Sequence, residues 1–121
     1  MRHVVRRLLA VVFIAAIVSG TGFVAPAGAV GLSGCGRTTV VLVHGAWADA
    51  SSWSGEVGAL QRAGCRVRAV ANPVENLTTD SLYVADFLKA IPGPVVLVGH
   101  SYGGSVITNA AALVSNVRAL V

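Results

Sequence analysis

The chain has 121 residues, enough for one small domain. It is 55% hydrophobic and 12% charged, with a formal net charge of +4 and a mean hydropathy of +0.74. Its basic residues form no stripe interleaved with aromatics, so nucleic-acid binding has no support.

The front of the chain has the anatomy of a secretory signal peptide. Arg2, Arg6 and Arg7 form a basic start, Leu8 to Val18 is an unbroken apolar run, and Ala27-Gly28-Ala29 supplies small residues at A-x-A spacing. The run is shorter than the roughly 20 residues a membrane-spanning helix needs. Residues 1–29 are therefore read as a signal peptide cleaved after Ala29, and 30–37 as a linker. Removal of the leader takes three of the nine basic residues and none of the five acids, so the overall basicity says little about partners. An alternative reading of the same region is Leu32-Ser33-Gly34-Cys35 as a lipobox, with the chain anchored to a membrane through Cys35. It is disfavoured because Ser19 to Gly31 separates that segment from the apolar run. Cys35 and Cys65 are the only cysteines, and export would place both in an oxidising compartment where pairing is allowed.

From Thr38 onward the pattern alternates. Thr38 to His44 is β-branched and apolar, which predicts a buried strand ended by Gly45. Trp53, Val57 and Leu60 fall at helical spacing before the helix stop Gly64. Val67 to Ala71 is a second strand. Thr78, Thr79 and Asp80 are candidate caps for a helix whose apolar face is Val84, Phe87, Leu88 and Ile91. Pro92-Gly93-Pro94 breaks it. Val95 to Val98 is a third strand. A third helix carries Val106, Ala110 and Leu113 on one face, and Val117 to Val121 starts a fourth strand. Four nearly all-apolar strands alternating with helices predict an α/β fold, a three-layer α/β/α arrangement around a mostly parallel sheet.

Gly99-His100-Ser101-Tyr102-Gly103 lies where the third strand gives way to the third helix. A sharp turn there brings the residues two before and two after its centre into collision, so glycines flank a serine raised at a helix amino end. This is the G-x-S-x-G nucleophile elbow, with Ser101 as the nucleophile and Gly99 and Gly103 as the elbow glycines. Neither a G-x-G-x-x-G nor a G-x-x-x-x-G-K-[ST] phosphate loop is present. A second feature, His44-Gly45-Ala46-Trp47, ends the first strand. Acyl transfer at serine forms a tetrahedral oxyanion held by two backbone N–H groups. One comes from the residue after the nucleophile, Tyr102, and one from such a loop. His44 and His100 are read as structural, Trp47 as a candidate pocket wall and Trp53 as core.

"VVLVHGAWADASSW" together with "IPGPVVLVGHSYGGSVITNAA" resembles the α/β-hydrolase fold family. It is most similar to small esterases and hydroxynitrile lyases, including exported actinobacterial members, whose chain begins almost directly with the oxyanion strand. The resemblance spans Thr38 to Val121. It implies that Ser101 is the nucleophile, Ala46 and Tyr102 the backbone oxyanion donors, and the substrate a small ester-like molecule, with no metal or other cofactor. It also implies that the strands after Cys35 and Cys65 are neighbours starting at the same end of the sheet, so that the two sulfurs come within bonding range; spacing alone leaves their pairing open. The family's order is serine, then acid, then histidine. Residues 102–121 contain no Asp, Glu or His, so the triad acid and base have no counterpart in this chain. The reading is of residues 38–121 as the N-terminal part of a hydrolase domain, a truncated α/β-hydrolase fold with negligible turnover by itself. The alternatives are hydroxynitrile lyase or acyltransferase chemistry on the same scaffold, or a non-catalytic fragment or binding module.

Overall fold

The computed structural model describes residues 35–121. The signal-peptide segment and residues 30–34 of the linker, which include the first three positions of the lipobox, lie outside them. Four strands form the sheet: β1 (Thr39–Val43), β2 (Arg66–Val70), β3 (Val95–Gly99) and β4 (Val117–Leu120). They alternate with α1 (Ser54–Arg62), α2 (Leu77–Lys89) and α3 (Tyr102–Ala111), and a 3-10 turn over Ala50–Trp53 precedes α1. The chain is an α/β protein with the order β2-β1-β3-β4, every pairing parallel.

That order follows from the crossovers. A right-handed connection from β1 through α1 places β2 on one side, and the return through α2 must pass β1 to seat β3 on the other. The direction in which strands are added therefore reverses between β1 and β3. Open parallel sheets form their ligand crevice at such a point, outside the carboxyl ends of the strands.

Every residue of β1 is buried, as expected of the strand with a neighbour on each side. Val41 and Val43 join Val70, Val95 and Leu97 beneath α2 and α3, which contribute Val84, Ala85, Leu88, Val106, Ile107 and Ala110. Alternation along the strand turns Val40 and Leu42 to the opposite face. Burying one such Val or Leu contributes about 1.5–3 kcal/mol, and this one cluster accounts for most of the apolar burial. α1 buries no residue fully. β2 shows the opposite pattern to β1, with Arg66 and Arg68 exposed on an outer strand. Charge there discourages pairing with another sheet edge.

Local signals place the ends. The expected cap of α2 falls one turn earlier than Thr78–Asp80: Asn76 Oδ1 accepts from the Thr79 amide at 3.0 Å, which leaves those three residues in the first turn. At the other end Asn116 Nδ2 donates to the carbonyls of Leu88 (2.8 Å) and Ile91 (3.2 Å), tying the residue before β4 to the carboxyl end of α2. Residues 35–37, assigned to the linker, form a turn in which the Thr38 amide donates to the Cys35 carbonyl at 2.9 Å. A disulfide joins Cys35 to Cys65, tying this turn to the start of β2. No helix among the described residues is long and apolar enough to cross a membrane.

Candidate active site

β1 and β3 are in register, with Val43 opposite Gly99 at their carboxyl ends. Two loops leave side by side from these ends, one through Gly45 to Trp47 and one through Ser101. The turn at Ser101 has φ 55° and ψ −123°, a conformation that non-glycine residues rarely adopt. Its cause is packing on both sides. A Cβ on Gly99 would stand 2.7 Å from the carbonyl of Gly103, so the two arms of the turn touch backbone to backbone. A Cβ on Gly103 would collide with the Val43 carbonyl oxygen and stand 2.7 Å from that of His44. The helix start is thus pressed onto the end of β1, and the His100 amide donates to the Val43 carbonyl at 3.1 Å. Squeezed between these contacts, the chain can continue only through a strained residue at 101, whose side chain is exposed.

The β1 loop reaches the same point. A Cβ on Gly45 would lie 3.2 Å from Ser101 Cβ and 3.2 Å from the His100 carbonyl oxygen, so a side chain there would push the two loops apart by a few tenths of an ångström. Neither the Ala46 amide nor the Tyr102 amide is engaged by a loop carbonyl. Tyr102 opens α3, where the first amides have no helical acceptor and the helix dipole favours negative charge.

The histidines differ. His44 is buried; its Nδ1 lies 2.9 Å from the Gly45 carbonyl oxygen and its Nε2 accepts from the Asn72 amide at 3.0 Å. With Nε2 accepting, Nδ1 carries the proton and donates to Gly45, so both ring nitrogens are spent on the backbone. His100 is exposed, and its Nδ1 lies beside Gly45. It lines a cleft of about 280 Å³ with Ala48, Ser52, Trp53 and Glu56. Here the indoles exchange their expected parts. Trp47 stands wholly in solvent, while Trp53, read as core, forms a wall of the cleft. Among the described residues no group of His, Cys, Asp and Glu is arranged to hold a metal.

One contact had no expectation attached to it. The Tyr102 hydroxyl donates to Asp80 Oδ2 at 2.6 Å, and the Asp80 side chain is fully buried. This hydrogen bond, then burial, then the nearby negative charge push the phenol up to about 12. The sequence does carry a trace of it: Asp80 lies at i−4 and i−8 from Val84 and Leu88, on the stripe that α2 buries.

Comparison with known proteins agrees with this architecture. The profile of the alpha/beta hydrolase family matches residues 40–121, and the chain belongs to that family. A carbendazim-hydrolyzing esterase of Nocardioides sp. (strain SG-4G) is 37% identical over 95 positions, covering 67% of this chain and 39% of the esterase. Among solved structures, an extracellular alpha/beta-hydrolase from a Paenibacillus species superposes with a TM-score of 0.62 at 28% identity. That enzyme is described as sharing structural and functional homology with tobacco salicylic acid binding protein 2. The match covers 69% of this chain and 38% of the Paenibacillus enzyme. The chain thus spans about two-fifths of the length of either relative.

Proposed function

We propose that residues 35–121 carry the nucleophile and the oxyanion site of an exported serine esterase acting on small esters. The observation that carries this is the strained Ser101, exposed between two glycines whose neighbours leave no room for a side chain. Ser101 Oγ attacks the acyl carbon while its proton passes to a base. The carbonyl oxygen becomes an oxyanion facing the Ala46 and Tyr102 amides. Collapse expels the alcohol, which takes the proton from the base, and water then releases the acid from the acyl-serine. Losing one oxyanion donor costs about 10²–10³ in rate.

No residue among 35–121 fills the place of the base. His44 has no free nitrogen, and residues 102–121 supply no Asp, Glu or His. In serine proteases, loss of the histidine costs about 10⁶-fold. The chain by itself therefore turns over negligibly, and added imidazole can take the proton instead. Export is supported by the basic and apolar leader and by the extracellular nature of the Paenibacillus relative. The Cys35–Cys65 disulfide engages the sulfur that a lipid anchor would need, which favours secretion over anchoring.

The test is a fluorophosphonate incubated with the folded chain in imidazole buffer, followed by digestion and mass mapping. The serine oxygen bonds to phosphorus, fluoride leaves and imidazole takes the proton. Ser101 is expected to be modified well ahead of Ser51, Ser52 and Ser105, which are also exposed. Equal modification of all four, or none at Ser101, overturns the reading.

A further inference from the structure

Asp80 has no place in the chemistry above, and a buried carboxylate is a poor way to stabilise a helix interface. Stripping an ion of water costs several kcal/mol, and an apolar residue of similar volume often serves stability as well or better. Asp80 nonetheless sits fully buried between Val84 and Leu88 on one side and the start of α3 on the other. No cation pairs with it: the only ion pair among the described residues joins Lys89 to Asp86. Its two oxygens are used differently. Oδ1 accepts from the Glu75 amide at 3.2 Å, which roots it in the loop before α2. Oδ2 receives the Tyr102 hydroxyl at 2.6 Å.

Tyr102 is a particular place to be held. It follows Ser101, and its amide has no helical acceptor to set its direction. The strained turn on one side and the side-chain anchor on the other are what orient it. We propose that Asp80 is a positioning residue for the oxyanion site. By gripping the Tyr102 hydroxyl it locks the first residue of α3 against α2, and so aims the Tyr102 amide at the developing negative oxygen. This rests on Ser101 being the nucleophile. A displacement of about 1 Å at such a donor is enough to cost about 10²-fold in rate.

The test measures phosphonylation of Ser101 by the fluorophosphonate in imidazole buffer across a range of probe concentrations. Maximal rate and half-saturating concentration are then separated. Tyr102→Phe removes the hydroxyl but leaves a buried carboxylate without its partner, so the Tyr102→Phe/Asp80→Leu double variant accompanies it and keeps the interface apolar. The double variant is expected to fold and melt cooperatively, with a maximal rate about tenfold to a hundredfold lower and an unchanged half-saturating concentration. A purely structural pair would shift melting and leave the maximal rate alone. Wild-type labelling at Ser101 with an equal maximal rate in the double variant overturns the positioning role while leaving the nucleophile intact. Absence of selective labelling in the wild type overturns both.

A second measurement follows the bond directly. The chain has two tyrosines, and absorbance titration should find Tyr102 ionising near 12. Asp80→Asn should return it toward its ordinary 10.0. The sign for stability is fixed by the same shift. The folded state holds the phenol proton more tightly than the unfolded chain. The contribution is therefore complete below pH 10 and lost as pH rises toward 12. An Asp80→Asn titration identical to the wild type overturns the coupling.

Discussion

Gly103 and Gly104 are adjacent in sequence and in the same helical turn, yet alanine at each should have opposite effects. At Gly103 the new methyl would meet the carbonyl oxygens of both Val43 and His44, closer than real Cβ atoms come. Neither oxygen can yield cheaply. Val43 lies in the fully buried strand β1, and its carbonyl accepts from the His100 amide at 3.1 Å. The start of α3 must instead lift from β1 by several tenths of an ångström, loosening the turn at Ser101 and the packing of Val106 and Ile107. Overpacking costs about 1–3 kcal/mol; with backbone on both sides of the clash, Gly103→Ala belongs at about 3 kcal/mol. In a domain of this size that is a melting temperature lower by about 12–24 °C. At Gly104 a methyl meets only the Gly99 carbonyl oxygen at 3.8 Å, an ordinary contact. Alanine there gains about 0.5–1 kcal/mol of helix preference. Thermal and urea melts of the two variants decide the matter. Gly103→Ala within about 0.5 kcal/mol of the wild type, or Gly104→Ala destabilised by more than about 1 kcal/mol, would refute the packing geometry on which the elbow depends.

Two further outcomes follow from the strained turn and the disulfide. Ser101 pays a conformational cost of about 1–3 kcal/mol at its positive φ, so Ser101→Gly should be more stable than Ser101→Ala by about 1 kcal/mol, with both unreactive toward fluorophosphonate; equal melting points would contradict the strain. The Cys35–Cys65 bridge spans a sequence separation of 30, for which loop-closure entropy predicts about 3.5 kcal/mol. Reduction should therefore lower the urea midpoint markedly, and two free thiols in unreduced exported protein would remove the basis for it.

Most of the fold, and the turn that forms the candidate site, were legible in the residues. Strand and helix alternation is local, because side-chain periodicity and glycine or proline breaks act over a few positions. The elbow is also local: a serine two residues from a glycine on each side, after a β-branched run, records a backbone collision between near neighbours. The close approach of the loop after β1 to the turn at Ser101 was legible for a similar reason, since Gly45 marks a tight contact even before its partner is known. Boundaries were less exact. Asn76 outcompetes Thr78 and Thr79 as the α2 cap because the preceding loop presents it extended, at φ −162° and ψ 158°.

What the sequence determined by itself was the order of elements, the parallel character of the sheet and the identity of the serine the turn would raise, all consequences of short-range sterics and burial. Tertiary structure alone decided which distant groups meet. It spent both nitrogens of His44 on Gly45 and Asn72, exposed Trp47 while turning Trp53 into a cleft wall, and brought Asp80 to Tyr102 across 22 positions of chain. These pairings depend on how α2, α3 and the loops after β1 and β2 settle against one another, and no local pattern encodes the distance between elements separated by twenty or more residues.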